Sequence, residues 1–439
     1  MREHGAGTGP VSNGSGQRDG EVDALILGGG PAGATAAAVL AGRGRRVLVV
    51  ERERFPRYKV GESLIPYCYF PLERIGMIEK LRASSFVKKY SVQFVSVSGR
   101  SSNPFYFFQH FDHDAAQTWQ VLRSEFDQMM LDNAVGKGAR VMMGANAKSL
   151  LLEGGRCVGL EVERGGERFP IRAPVTIDCG GRHGFAATKM GWLRRDPHLN
   201  KVAVWTYYRG AQRDRGYDEG ATTVAYLPGK GWFWYIPLAG DLVSVGVVAE
   251  RDYLYRDGKD LERVWEREVA VNPWVAGHLA PGRRCEPLRV TAEYSYRSLY
   301  CAADGLVLAG DAYTFLDPVF SSGVLLALVS GERAAHAVDA ALRAGDARAE
   351  RFARYGRDFS RGVEAMRKLV YAFYEETFSF GRLLKRYPDL RGDLTDCLIG
   401  NLSHDFGPLF KAVDEFARVP EALPYGGVPE EGVALGVPG

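Results

Sequence analysis

The stretch Val22-Asp23-Ala24-Leu25-Ile26-Leu27-Gly28-Gly29-Gly30-Pro31-Ala32-Gly33-Ala34 decides the fold. Residues 22–27 form a short apolar run of the kind that makes a buried parallel strand. A turn of small residues follows, and residues 34–42 read as a helix of mostly alanine. Gly28 permits a tight turn, Gly30 lets backbone amides approach a pyrophosphate, and Gly33 lets helix and strand pack closely, with Ala32 between them. The helix start offers unpaired N–H groups and a positive dipole end. Residues 46–50 give a second strand ending at Glu51, 23 positions after Gly28, where a carboxylate can meet ribose hydroxyls. This combination predicts a doubly wound α/β domain holding a dinucleotide. The bland alternative is a tight strand-to-helix turn with no ligand.

Other segments along the chain extend the pattern. Val307-Leu308-Ala309-Gly310-Asp311 is a strand emptying into an acid, followed by Asp317-Pro318 and a helix opening near Gly323. Asp178-Cys179-Gly180-Gly181-Arg182 is a second strand end, and Arg123 lies in Leu122-Arg123-Ser124-Glu125-Phe126-Asp127. For Asp178 and Asp311 ordinary strand-end capping stands as the alternative. After Arg182 the chain alternates aromatic and polar residues at 202–208, 222–227 and 243–249, which predicts an inserted antiparallel sheet over about 186–296. Helical periodicity dominates residues 346–422. Residues 1–21 and 423–439 are rich in Gly, Ser, Pro or charge and are expected to be disordered or flexible tails.

Composition excludes several classes. With 46% apolar and 25% charged residues and a net charge of +3, the chain carries no dense basic stripe for nucleic acid. No apolar run is long enough for a membrane span. The six cysteines lack paired metal-type spacing, so reduced thiols, a cytoplasmic location and no metal site are expected.

Four further segments, taken with these, resemble the flavin-dependent halogenases of the FAD hydroxylase superfamily, specifically the branch acting on phenols, pyrroles and carrier-bound aromatics. They are Val60-Gly61-Glu62-Ser63-Leu64-Ile65-Pro66, Val87-Lys88-Lys89-Tyr90-Ser91-Val92-Gln93-Phe94, Trp232-Phe233-Trp234-Tyr235-Ile236-Pro237 and Asp317-Pro318-Val319-Phe320-Ser321-Ser322-Gly323. The resemblance implies FAD, with Arg123, Asp178 and Asp311 touching it and Pro318 beside the ring system. Gly61, Glu62 and Ser63 become a strap over the flavin. Trp232 and Trp234 line the path between flavin and substrate, and strand alternation puts them on one face with Ile236. Lys89 takes the catalytic lysine's position, as a hydrogen-bond donor to hypohalous acid or as a chloramine, while Lys88 faces solvent. The amides of Ser322 and Gly323 hold halide.

Where tryptophan-specific members carry glutamate, this chain has Phe320, which implies a substrate other than free tryptophan. The implied reaction uses FADH2 from a separate flavin reductase, O2 and chloride or bromide. Hypohalous acid then passes along a tunnel to Lys89 and halogenates an electron-rich ring, free or tethered to an acyl or peptidyl carrier protein, in secondary metabolism. No second glycine fingerprint for NADPH is present. His110 and His113 read as structural or surface residues. Arg382, Lys385 and Arg386 read as a solvated helix end or as a docking patch for an acidic carrier. Two rivals stay open: a monooxygenase or prenyl reductase of the same superfamily, and a non-catalytic flavin- or carrier-binding protein.

Overall fold

The computed structural model describes residues 22–292, 295–421 and 425–430. The tail expected over residues 1–21 and the last residues of the other tail lie outside them. Ala24–Leu27 leads into the helix Pro31–Ala41, and Val47–Glu51 returns beside the first strand. These strands form a six-stranded sheet in the order Ala302–Ala303, Leu306–Leu308, Val175–Asp178, Ala24–Leu27, Val47–Glu51 and Arg140–Met143. All neighbours are parallel except the edge strand Ala302–Ala303. Apart from the half-exposed edge strand Arg140–Met143, its strands are buried on both faces, as parallel sheets require. The helices Pro31–Ala41 and Gly323–Ala344 pack together over it.

The turn shows why glycine stands where it does. Gly28 adopts φ +95°, and a Cβ there would lie 2.4 Å from the Cys179 carbonyl oxygen. A Cβ on Gly33 would sit 1.9 Å from the carbonyl oxygen of Gly28, so any side chain would lift the helix off the strand.

The second sheet runs Arg283–Arg284, Lys201–Arg209, Leu242–Glu250, Trp232–Leu238, Thr222–Tyr226, Ser91–Val95 and Phe105–Tyr106, with Arg289–Ala292 also paired to Lys201–Arg209. It is larger than the expected 186–296 insertion, because Ser91–Val95 joins it in parallel with Thr222–Tyr226. Period-two alternation sorts the Trp232–Leu238 strand. Phe233 and Tyr235 pack among Val245, Val247, Trp265 and Val275, while Trp232, Trp234 and Ile236 face the main core.

Several expectations are corrected. A three-stranded meander (Ala145–Glu153, Arg156–Arg164, Glu167–Arg172) had no counterpart in the sequence reading. The segment 87–94 divides between two sheets: Val87–Lys89 pairs with Thr118–Gln120, and Ser91–Val95 pairs with Thr222–Tyr226. The expected helical C-terminal region is present, as Ala353–Tyr374 followed after a break by Phe380–Arg386, Arg391–Ile399 and Gly407–Val413. Residues 425–430 are no loose tail. Gly427 bridges to Tyr300, and the Tyr425 hydroxyl donates to the Ser360 carbonyl. All six cysteines are free thiols, five of them buried.

Candidate active site

A cavity of about 490 Å³ opens between the two sheets, beside the C-terminal ends of the parallel strands. Gly28, Gly30 and Ala32 form one end of it, and Arg123, Asp311, Pro318 and Gly323 continue the wall. Gly61, Glu62 and Ser63, together with Trp232 and Trp234, complete the other side, and Glu51 stands beside the glycine turn. The first turn of the Pro31–Ala41 helix carries no side-chain cap, so its amides are free to face an anion. Glu51 accepts hydrogen bonds from the Gly29 amide at 2.7 Å and the Glu53 amide at 2.8 Å, so it also braces the turn.

Two predicted cofactor residues stand behind the wall. Gly33 packs against Gly28, and both carboxylate oxygens of Asp178 are committed to the chain's own amides, Gly180 at 2.8 Å and Ala186 at 2.7 Å. Capping, the simpler alternative, describes Asp178. Asp311 does line the cavity, and burial pushes its carboxyl up to about 6 against the pull of Arg182 and Arg123.

Arg123 holds the strap. Its guanidinium donates to the carbonyl oxygens of Val60 at 2.8 Å and Gly61 at 3.2 Å, and makes a fork to Asp127 at 2.8 and 3.0 Å. Arg57 reaches the same fully buried carboxylate at 2.8 Å. Sequence reasoning missed Arg57 and Asp127, although the Arg123–Asp127 spacing of four on a helix was a usable signal. The Arg57 Nε, on a residue of the cavity wall, has no partner within the chain.

Glu62 is the second missed feature in chemical terms. It is 1% exposed and accepts a hydrogen bond from the Tyr207 hydroxyl, with the Ser244 hydroxyl also close enough to favour its charged form. Burial pushes its carboxyl up to about 7. Beyond it stand Trp205, whose indole donates to the Tyr58 hydroxyl, and Trp234, whose indole donates to Ser244 at 3.1 Å. Gly246 makes room for Trp234, since a Cβ there would lie 2.2 Å from the indole ring.

Lys89 is fully buried and Lys88 exposed, as alternation requires. The Lys89 Nζ donates to the Ser63 hydroxyl at 2.8 Å and the Leu64 carbonyl at 3.1 Å, and lies 5.5 Å from the centre of the Phe107 ring. Burial lowers the ammonium to about 7. Lys89 is absent from the cavity wall, and its neighbour Ser63 stands there instead, bonded onward to Thr222 at 2.8 Å. Ser63 therefore links the Lys89 amine to the cavity wall through a single hydroxyl.

In the Asp317 turn, the Asp317 carboxylate accepts from the Val319 amide at 3.0 Å, and Ser321 adopts φ +55°. Ser322 then occupies the N-cap of the Gly323–Ala344 helix without a side-chain cap bond, and its buried Oγ has no partner. Phe320 packs against Phe373 and Phe380, ring centres 5.6 and 6.2 Å away. His110 and His113 stay structural: His113 accepts from the Ala115 amide, and His110 lies 3.5 Å from Asp396. No cluster of three or more metal-ligating side chains and no membrane-spanning helix occurs among the described residues.

The residues fit FAD. A glycine turn too tight for a Cβ brings backbone close to the cavity, and helix-start amides supply donors along the same wall. Fold and site therefore define a flavoprotein oxidoreductase.

Comparison with known proteins narrows that class. The family described as tryptophan halogenase matches residues 109–379, more than half the chain, and FAD dependent oxidoreductase matches residues 23–188. A 1H-pyrrole-2-carbonyl peptidyl-carrier-protein brominase of Pseudoalteromonas luteoviolacea (strain 2ta16) is 30% identical over 383 residues, 86% of this chain and 91% of the relative. The corresponding chlorinase of Pseudomonas fluorescens is 28% identical over 407 residues, 88% and 90% of the two chains. The structure of the flavin-dependent brominase Bmp2 superposes with a TM-score of 0.82 at 28% identity, covering 90% of this chain and 97% of that one. The chain belongs to the flavin-dependent halogenase family and is an enzyme.

Proposed function

We propose that this enzyme chlorinates or brominates an electron-rich ring of the pyrrole or phenol type, presented on a carrier protein, using FADH2 from a separate reductase. Two relatives that act on carrier-bound pyrrole and align over most of the chain support the substrate class. Phe320, packed among aromatic rings, supports a ring substrate other than free tryptophan.

Reduced FAD with oxygen supplies the oxidising power that converts halide to hypohalous acid. The chain's own contribution is binding and confinement. Amides of Ser322 and Gly323 at the helix start are suited to holding the halide beside Pro318. Trp232, Trp234 and Trp205 exclude bulk water from the wall. Arg123 fixes the strap.

The observation that carries the reading is the buried Lys89 amine, one hydroxyl removed from the cavity wall. With its pKa lowered to about 7, neutral and charged forms coexist near neutral pH. As an ammonium it has three donors, of which two are used by Ser63 and Leu64, leaving one for the oxygen of hypohalous acid. As a neutral amine it keeps both those bonds and presents a lone pair that can accept the halogen. Either route ends in the same balance: ring C–H and hypohalous acid give ring C–halogen and water.

The test is product mass spectrometry with reductase, chloride or bromide, and a pyrrolyl or phenolic carrier thioester. Lys89→Met should abolish halogenated product while hypohalous acid still reaches a soluble trap. Undiminished product from that variant would remove the lysine from the reaction.

A further inference from the structure

Tyr374 ends the Ala353–Tyr374 helix and touches two motifs far away in sequence. Its hydroxyl oxygen accepts the Trp232 indole N–H at 2.8 Å and lies 3.0 and 3.2 Å from the two carboxylate oxygens of Asp317. Donor chemistry fixes the direction of this chain. Indole can only donate and carboxylate only accept, so the single phenolic proton goes to Asp317. Polarisation along such a chain strengthens each bond, and its burial makes an unmade bond costly.

Asp317 is 0% exposed and Trp232 2%. Asp317 is also the cap of the turn Pro318–Phe320, which sets Ser321 at φ +55° and so aims Ser322 and Gly323. The Lys201 ammonium, paired with Glu250, lies 3.8 Å from the centre of the Tyr374 ring and packs against it. One hydroxyl from the C-terminal helical region therefore joins the Asp317 turn to the Trp232 strand.

We propose that Tyr374 is a positioning residue through which the C-terminal helices set the geometry of the halide turn and hold Trp232 in the cavity wall. This rests on the reading of Ser322–Gly323 as the halide site.

The experiment is Tyr374→Phe in the full chain, with two readouts. Amide hydrogen exchange of the 317–323 segment, measured without flavin or halide, should quicken by about 10-fold, as loss of one charge-assisted hydrogen bond implies. The halide KM of the reduced-flavin reaction should rise by a similar factor of about 10, with kcat held within about two-fold. Asp317→Asn should shift both in the same direction, and the double variant should be clearly less than additive. Unchanged exchange and unchanged halide KM in Tyr374→Phe overturn the proposal. If that variant does not fold, Trp232→Phe removes the other bond of the chain, and an unaltered exchange rate there overturns it equally. Absence of any halide-dependent product from the unmodified enzyme would overturn the functional reading, while amide exchange would still decide whether Tyr374 holds the turn.

Discussion

Burying an amine makes a specific demand on stability, and Lys89 allows its size to be worked out. Its pKa falls from 10.5 to about 7 because burial penalises the charged form, partly offset by the nearby Cys68. Between those values the unfolded chain holds a proton that the folded chain lacks. Stability therefore climbs with pH at about 1.4 kcal/mol per unit, or about 5 kcal/mol over the whole window from pH 7 to 10.5. Below pH 7 both states are protonated and the cost is fully present. Above 10.5 it is gone. Lys89→Met keeps an unbranched side chain one atom shorter and removes the titration. The bonds to Ser63 and Leu64 are also lost, at about 1 kcal/mol each and with little pH dependence. Urea unfolding of both proteins at about pH 7 and about pH 9 isolates the titration, because Cys68 and every other group common to both largely cancel. The stability difference should move by about 2–3 kcal/mol in favour of the unmodified chain as pH rises. A difference that is the same at both pH values would refute the claim that this amine is held in a dry environment.

Glu62 should act with the opposite sign. Its carboxyl is raised from 4.5 to about 7, so the folded chain binds the extra proton in that window and stability falls by about 3 kcal/mol as pH rises through it. Glu62→Gln should flatten this slope in thermal melts between about pH 4.5 and 7. Asp127→Ala leaves the Arg57 and Arg123 guanidiniums facing each other without their shared buried carboxylate, at a cost of about 3–5 kcal/mol. It should also release the strap from Arg123, which equilibrium dialysis would register as weakened FAD binding. Gly246→Ala places a methyl 2.2 Å from the Trp234 ring and 2.6 Å from the Trp205 Cβ. A destabilisation of about 1–3 kcal/mol in urea melts is expected from overpacking, along with altered near-ultraviolet dichroism from the displaced indoles.

Much of this protein was written in local pattern. A short, mostly apolar run, glycines at fixed offsets and an acid 23 positions on determine a strand, a turn and a helix, because each depends only on neighbours along the chain. The face of Trp232 and Trp234, and the opposite exposures of Lys88 and Lys89, followed from the two-residue period of a strand in the same way. Tertiary structure alone decided that Ser91–Val95 leaves the Lys89 strand for the larger sheet, and that Asp178 caps its own chain. It alone brought Asp127 to Arg57, Tyr207 to Glu62, and Tyr374 to both Trp232 and Asp317, partners 57 to 145 positions apart. Such pairings leave no periodic trace. They form because a polar group taken out of water must find whichever partner the packed core brings within about 3 Å, and that is a property of the folded volume rather than of the chain's neighbours.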